Sequence, residues 1–182
     1  GILIDQEKRK SFISNEIIKL SNKKKLNINL KKELLEEITN IVEKPKILFC
    51  EFDKKYLTIP KEILIITMQN HQKYFPAFDN KDNLTNNFIV VADSKDPKGF
   101  VKLGNERVIE ARLHDAEFFW KKNRSQNLVK QVSKLKNINY FKGLGSYFDK
   151  VQRIRKLCGI ISDEMLISKE KIEIASSICK VD

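Results

Sequence analysis

Residues 60–93 read PKEILIITMQNHQKYFPAFDNKDNLTNNFIVVAD, and the change of rhythm inside them decides the fold. Pro60 suits the first turn of a helix, where its missing N–H costs nothing, and the KEILIITMQN that follows is nearly all apolar, so a short buried helix is expected. Beyond HQ the pattern changes. KYFPAF and NNFIVVAD are β-rich runs on either side of DNKDNLT, whose Asn and Asp residues favour a turn, which predicts an antiparallel hairpin with a buried FIVV strand. The expected class is therefore α+β, with mixed helices and short antiparallel hairpins in a body domain.

Working towards the N-terminus, Ile13, Ile17 and Leu20 fall at helical spacing among charged neighbours and predict an amphipathic helix from Asp5 to about Leu20. A second helix carries the stripe Leu34, Ile38 and Ile41, with Asn29 as its expected N-cap and Pro45 preventing continuation beyond Lys44. ILFCEF at 47–52 and KYLTI at 55–59 are short β-rich runs joined at Asp53 and Lys54, which predicts a first hairpin.

Towards the C-terminus, Pro97 and Gly99 break the chain before the clearest helix, GNERVIEARLHDAEFFWKKNR. Ile109, Leu113, Ala116 and Trp120 recur at i, i+4, i+7 and i+11, with Phe119 widening the apolar face and Asn105 as the expected N-cap. A further helix is expected over about 126–136. Gly143 and Gly145 then read as a hinge, and Ser146 with Asp149 as a capping box ahead of the stripe Val151, Ile154, Cys158, Ile161 and Met165. One more helix is expected from Ser168. The reading divides the chain into a body domain over 1–140 and the truncated start of an all-helical domain over 141–182.

The 182 residues carry 35 Lys and Arg against 24 Asp and Glu, a formal net charge of +11, which directs attention to polyanions and acidic protein faces. That charge comes from 29 Lys and only 6 Arg, alongside 15 Asn and 23 Ile. Codons rich in A and T encode Lys, Asn and Ile, so genome composition accounts for the charge as well as RNA binding does. Cys50, Cys158 and Cys179 are widely spaced, with no C-x-x-C pair, and read as reduced thiols. No run approaches the roughly 20 apolar residues of a membrane span, so no membrane partner and a cytoplasmic location are expected. The start GILIDQEKRK has no initiator Met, and the chain reads as excised from something longer.

Catalytic constellations are sparse. His114-Asp115 has the form of an HD-type phosphohydrolase motif, but such a site gathers several His and Asp residues and this chain has two His, His71 and His114. KGLGSYFDK lacks the order of a phosphate loop. No catalytic residue, no metal ligand and no cofactor are expected in this segment. The candidate RNA-binding residues are Lys73, Arg107, Arg112, Lys121, Lys122 and Arg124, whose cations suit phosphates, with Tyr74 or Phe75 available to stack a base if the two stretches meet. Against this, the aromatic residues also read as core or interface, and Arg112 beside the apolar stripe is expected to pair with Glu106 or Glu110.

Taken in order, Glu43 with Pro45, TMQNHQKYFP at 67–76, GNERVIEARLHDAEFF at 104–119 and LGSYFDKVQR at 144–153 resemble the β subunit of bacterial heterotetrameric glycyl-tRNA synthetase. His114 falls at a variable position of that pattern. The resemblance implies an α2β2 ligase that joins glycine to tRNA(Gly), with ATP and Mg used by the α subunit, which carries the catalytic motifs. The β subunit would be the tRNA-handling partner, and the helical domain entered at LGSYFDK would be HD-like. The alternative functions are a free-standing RNA-binding module and an HD-type phosphohydrolase fragment.

Overall fold

A computed structural model describes residues 2–181. The class is α+β, as the sequence predicts. The chain forms two compact units, one through Lys121 and one from Lys122.

In the first unit, α1 (Gln6–Lys24) starts at Asp5, whose carboxylate accepts the Lys8 N–H, and ends on Lys25 in the left-handed region. Next come β1 (Asn27–Ile28), α2 (Lys32–Ile41) and β2 (Lys46–Glu51). Asn29 does not cap α2. Lys31 holds that position without a side-chain bond, and Asn29 instead follows β1, which is too short to announce itself by alternation. Ile41 closes α2 and is exposed, so only Leu34 and Ile38 of the expected stripe are buried.

The hairpin expected over 47–59 is not formed. Asp53 accepts the Lys55 N–H and winds residues Lys54–Thr58 into a 3₁₀ turn, because a capping carboxylate satisfies the backbone locally where the β-rich residues of KYLTI would need a partner strand. After α3 (Lys61–Ile66) and a π-helical turn (Thr67–His71), β3 (Phe75–Phe78) and β4 (Leu84–Ala92) make the predicted hairpin. β2 pairs with β4 over six residues, Lys46 opposite Ala92 through Glu51 opposite Asn87, giving the strand order β1-β3-β4-β2.

Alternation along β4 feeds two hydrophobic clusters, as expected where successive side chains point to opposite faces. Ile89 joins Ile13, Ile17, Leu34, Ile38 and Phe75, so α1 and α2 cover one side. Phe88 and Val90 join Cys50, Phe52, Leu64, Met68 and Tyr74, together with Ile109 and Leu113 of α4 (Phe100–Ser125), on the other. Phe119 is exposed and does not widen that buried stripe.

The second unit contains the last turn of α4, α5 (Leu128–Gln131) and a 3₁₀ turn (Val132–Asn137) in place of one helix over 126–136. Gly143 and Gly145, both at positive φ, form a tight β-hairpin between β5 (Asn139–Phe141) and β6 (Gly145–Ser146) where a hinge was expected. The Ser146–Asp149 capping box starts α6 (Tyr147–Met165), and α7 (Lys169–Ile178) packs on α6. Val151 is fully buried, whereas Ile161 and Met165 are exposed, so the expected stripe of α6 is covered only at its start. The compact division falls at Lys121/Lys122, earlier than the 140/141 boundary expected from sequence, because the 3₁₀ turn and β5 pack on α6 and β6.

Candidate nucleic-acid interface

The 67–76 stretch begins where Thr67 donates its hydroxyl to the Ile63 carbonyl at 2.8 Å and the helix widens into the π turn. Tyr74 N–H reaches back to the Met68 carbonyl at 2.9 Å, and Lys73 between them takes a left-handed conformation with φ 58. A side chain larger than glycine is uncommon there and marks a locally constrained backbone. The Lys73 Nζ lies 2.9 Å from Glu37 of α2. The Tyr74 ring stacks on Phe88 with centroids 5.0 Å apart, and its hydroxyl donates to Asn105 Oδ1 at 2.7 Å. Burial pushes the Tyr74 phenol up to about 12 and the neighbouring Cys50 thiol also to about 12.

Asn105 is free to accept that bond because it is not the N-cap of α4. The helix starts at Phe100, behind Gly99 at φ 72, and Asp96 receives the Val101 and Lys102 N–H groups at 3.0 and 2.8 Å. Burial raises the Asp96 carboxyl, but N–H donors from Lys102 back to Gly99 outweigh it and hold the pKa below its usual value. Inside the first turns, Asn105 Nδ2 donates to the Val101 carbonyl at 2.7 Å, while Glu106 accepts the Glu51 N–H at 2.8 Å and pairs with Lys102 at 3.5 Å. The Asn and Glu of GNERV therefore hold α4 to the sheet. Tyr74, Lys73 and Asn105 also share the lining of one concavity of about 320 Å³, floored by Ile38, Val42 and Val90.

The candidate cations are dispersed. Lys73 is ion-paired and half-buried. Arg107 lines a concavity of about 520 Å³ with Glu51, Asp53, Glu106 and Glu110, an acidic neighbourhood that disfavours phosphate. Arg112 is exposed and makes no ion pair among the described residues, which corrects the expected pairing with Glu106 or Glu110, since Glu106 is committed to Lys102 and the Glu51 amide. Arg107 and Arg112 are five residues apart, roughly 140° around the helix, so they do not form one stripe. Lys121 pairs with Glu117 at 2.5 Å. Lys122 and Arg124 stand in the last turn of α4, in the second unit.

Tyr74 and Phe75 are buried and spend their rings in the core, so neither offers a face to a base. Sequence reasoning missed a basic-aromatic cluster in the second unit: Lys150 lies 3.9 Å from the Tyr140 ring centroid and Lys136 lies 5.0 Å from that of Phe148. Its signal was the interleaving of Lys with aromatics through KLKNINYFKGLGSYFDK. His71 and His114 are both exposed, and among the described residues no three His, Cys, Asp or Glu side chains are grouped to hold a metal. No described helix is long and apolar enough to cross a membrane.

A family model described as glycyl-tRNA synthetase beta subunit matches residues 1–182. The chain belongs to the glycyl-tRNA synthetase β subunit family. Among proteins named glycine–tRNA ligase beta subunit, it is 39% identical over 183 residues to that of Thermodesulfovibrio yellowstonii, covering 100% of this chain and 27% of the relative. It is 41% identical over 174 residues to that of Dictyoglomus thermophilum, covering 95% and 25%, and 37% identical over 178 residues to that of Lactococcus lactis, covering 97% and 26%. The chain thus spans about a quarter of the length of the curated relatives it matches. The conspicuous strings of this β-subunit segment, HQKYFP and GNERV, build the junction between sheet and α4.

Proposed function

We propose that this β-subunit segment serves a glycine–tRNA ligase as scaffold and contact surface, supporting ATP-dependent glycylation of tRNA(Gly) whose bond-making steps, with ATP and Mg, reside on an α subunit. The observation that carries this reading is the fate of the family motifs. Within them Tyr74 donates to Asn105 and Glu106 accepts the Glu51 N–H, so these side chains rigidify a body instead of presenting reactive groups. On this reading the phosphate contacts are drawn from Lys73, Arg107, Arg112, Lys121, Lys122 and Arg124, with Arg112 the foremost because it is exposed, unpaired among the described residues and not in the lining of the acidic concavity that Arg107 shares. The helical stretch from residue 141 is the beginning of the HD-like helical domain, and the working compartment is the cytoplasm.

Co-expression with a glycyl-tRNA synthetase α subunit tests the reading. Stable co-purification of the β polypeptide, and reduced glycylation of tRNA(Gly) on Arg112→Ala at unchanged ATP–glycine adenylate formation, are the expected results. A β polypeptide that ignores the α subunit and tRNA but hydrolyses phosphate esters with an added divalent metal would overturn it.

A further inference from the structure

β2 is one edge of the four-stranded sheet, six residues long against two for β1 at the other edge. Its orientation follows from register. Phe52 N–H donates to the Asn86 carbonyl at 2.9 Å, so by the alternation of an antiparallel ladder Leu48 and Cys50 turn their backbone groups towards β4, while Ile47, Phe49 and Glu51 turn theirs away. The Glu51 N–H agrees, since it leaves the sheet to meet Glu106. Among the described residues the outward N–H and C=O of Ile47 and Phe49 meet no hydrogen-bond partner. The edge pairs with β4 without a register shift, and within the strand it carries no proline and only one lysine, Lys46 at its start, so Ile47–Phe49 remain unguarded.

The chemistry at the start of that edge is basic, whereas its end at Glu51 is acidic. Leu3, Phe12, Lys44, Pro45, Lys46 and Lys95 line a concavity of about 440 Å³ at the start of β2, with apolar side chains and lysines but no carboxylate. None of those three lysines makes an ion pair among the described residues, and Lys24 adds a further cation 4.7 Å from the Phe49 ring centroid.

We propose that the β2 edge is a docking site for an extended acidic segment of a partner protein, which adds as a strand along Ile47–Phe49 and sets carboxylates against Lys44, Lys46 and Lys95. RNA is the poorer fit. Phosphate oxygens only accept, so the outward carbonyls of Ile47 and Phe49 would face like partial charge, whereas a peptide backbone matches donors and acceptors alternately. Leu3, Phe12 and Pro45 suit an apolar side chain next to the acids. This proposal does not depend on the tRNA reading above.

The test uses the 182-residue chain and a labelled synthetic heptapeptide of alternating Val and Glu. Controls are the Val/Lys peptide, a Val/Glu peptide N-methylated on alternate residues, and a single-stranded RNA oligonucleotide. Anisotropy should show the Val/Glu peptide binding about tenfold or more tighter than either control peptide. Hydrogen exchange should slow at the Ile47 and Phe49 amides while those of Leu48 and Cys50 are unchanged. Ile47→Pro, which deletes an outward N–H that an edge strand can lose, should weaken binding about tenfold, and Lys46→Glu should weaken it similarly. The wild-type exchange measurement stands even if Ile47→Pro fails to fold. No binding of the Val/Glu peptide, equal binding of the Val/Lys or N-methylated peptide, or unprotected Ile47 and Phe49 amides would each overturn the proposal. Displacement of the peptide by RNA that depends on Lys46 would assign the edge to nucleic acid and overturn it as well.

Discussion

The Tyr74 hydroxyl donates to Asn105 Oδ1 at 2.7 Å, and through that bond the loop before β3 holds the first turns of α4. Asn105 completes the link by donating Nδ2 to the Val101 carbonyl one turn back in its own helix. Tyr74→Phe leaves Oδ1 bare in a mostly buried setting, and such an unsatisfied acceptor costs about 1–3 kcal/mol. Urea unfolding of Tyr74→Phe should show that loss. Asn105→Ala should cost a similar amount, and the double variant should cost clearly less than the sum, since both remove one interaction.

That link was legible only in half. Both strings stand out in the sequence, which leaves Tyr74 as either core or base platform and makes Asn105, ahead of the apolar stripe, the expected helix cap. The true start lies at Phe100, set by Asp96 and the positive φ of Gly99, and a carboxylate reaching five or six residues along the chain leaves no periodic trace. The helices α1 and α6 were legible because both capping side chain and stripe are local. The pairing of β2 with β4 was not, since KYLTI is rich in strand-forming residues and nothing local tells it from a partner strand. Of the candidate site, the charges could be read but not their commitments: Lys73 to Glu37 and Glu106 to Glu51 are long-range pairs.

Alkaline pH should destabilise the first unit. Burial raises both the Cys50 thiol, from an ordinary 9.0 to about 12, and the Tyr74 phenol, from 10.0 to about 12. A folded pKa above the unfolded one means that stability is complete below the unfolded value and lost as pH rises through the folded value. Unfolding free energy should therefore begin to fall near pH 9 and continue falling towards pH 12. Tyr74→Phe should flatten the part above pH 10 and leave the part between 9 and 10 in place, as read by denaturant titrations at stepped pH.

Gly145 controls the start of α6. It sits at φ 79, and an added Cβ would lie 2.4 Å from Asp149 Oδ2, the oxygen that accepts the Ser146 N–H in the capping box. Gly145→Ala should therefore break the box as well as strain the backbone, and should be more damaging than Ser146→Ala, a cap loss of about 1 kcal/mol. Hydrogen exchange should rise at the first amides of α6 in both variants, more in Gly145→Ala. The same box holds the Asp149 carboxyl below its usual range, chiefly through the Ser146 backbone N–H. Its contribution is present above the ordinary carboxylate pKa and disappears as pH falls through the lowered value, so wild type and Asp149→Asn, which cannot ionise, should converge in stability in acid.

Arg112 and Leu113 are neighbours with opposite duties, and they separate scaffold from contact. Leu113 is fully buried in the cluster with Phe88 and Met68, so Leu113→Ala should cost about 2–5 kcal/mol of stability. Arg112 is exposed and unpaired among the described residues, so Arg112→Ala should change stability by no more than about 0.5 kcal/mol. If Arg112 neutralises one phosphate, its loss lowers the slope of log K for tRNA(Gly) against log salt by about 0.7–0.9. Titrations at several salt concentrations check this, with Arg112→Lys restoring the slope because Lys retains the charge. An unchanged slope in Arg112→Ala would move the phosphate contacts elsewhere, while a Leu113→Ala variant that stayed folded should bind with the wild-type slope.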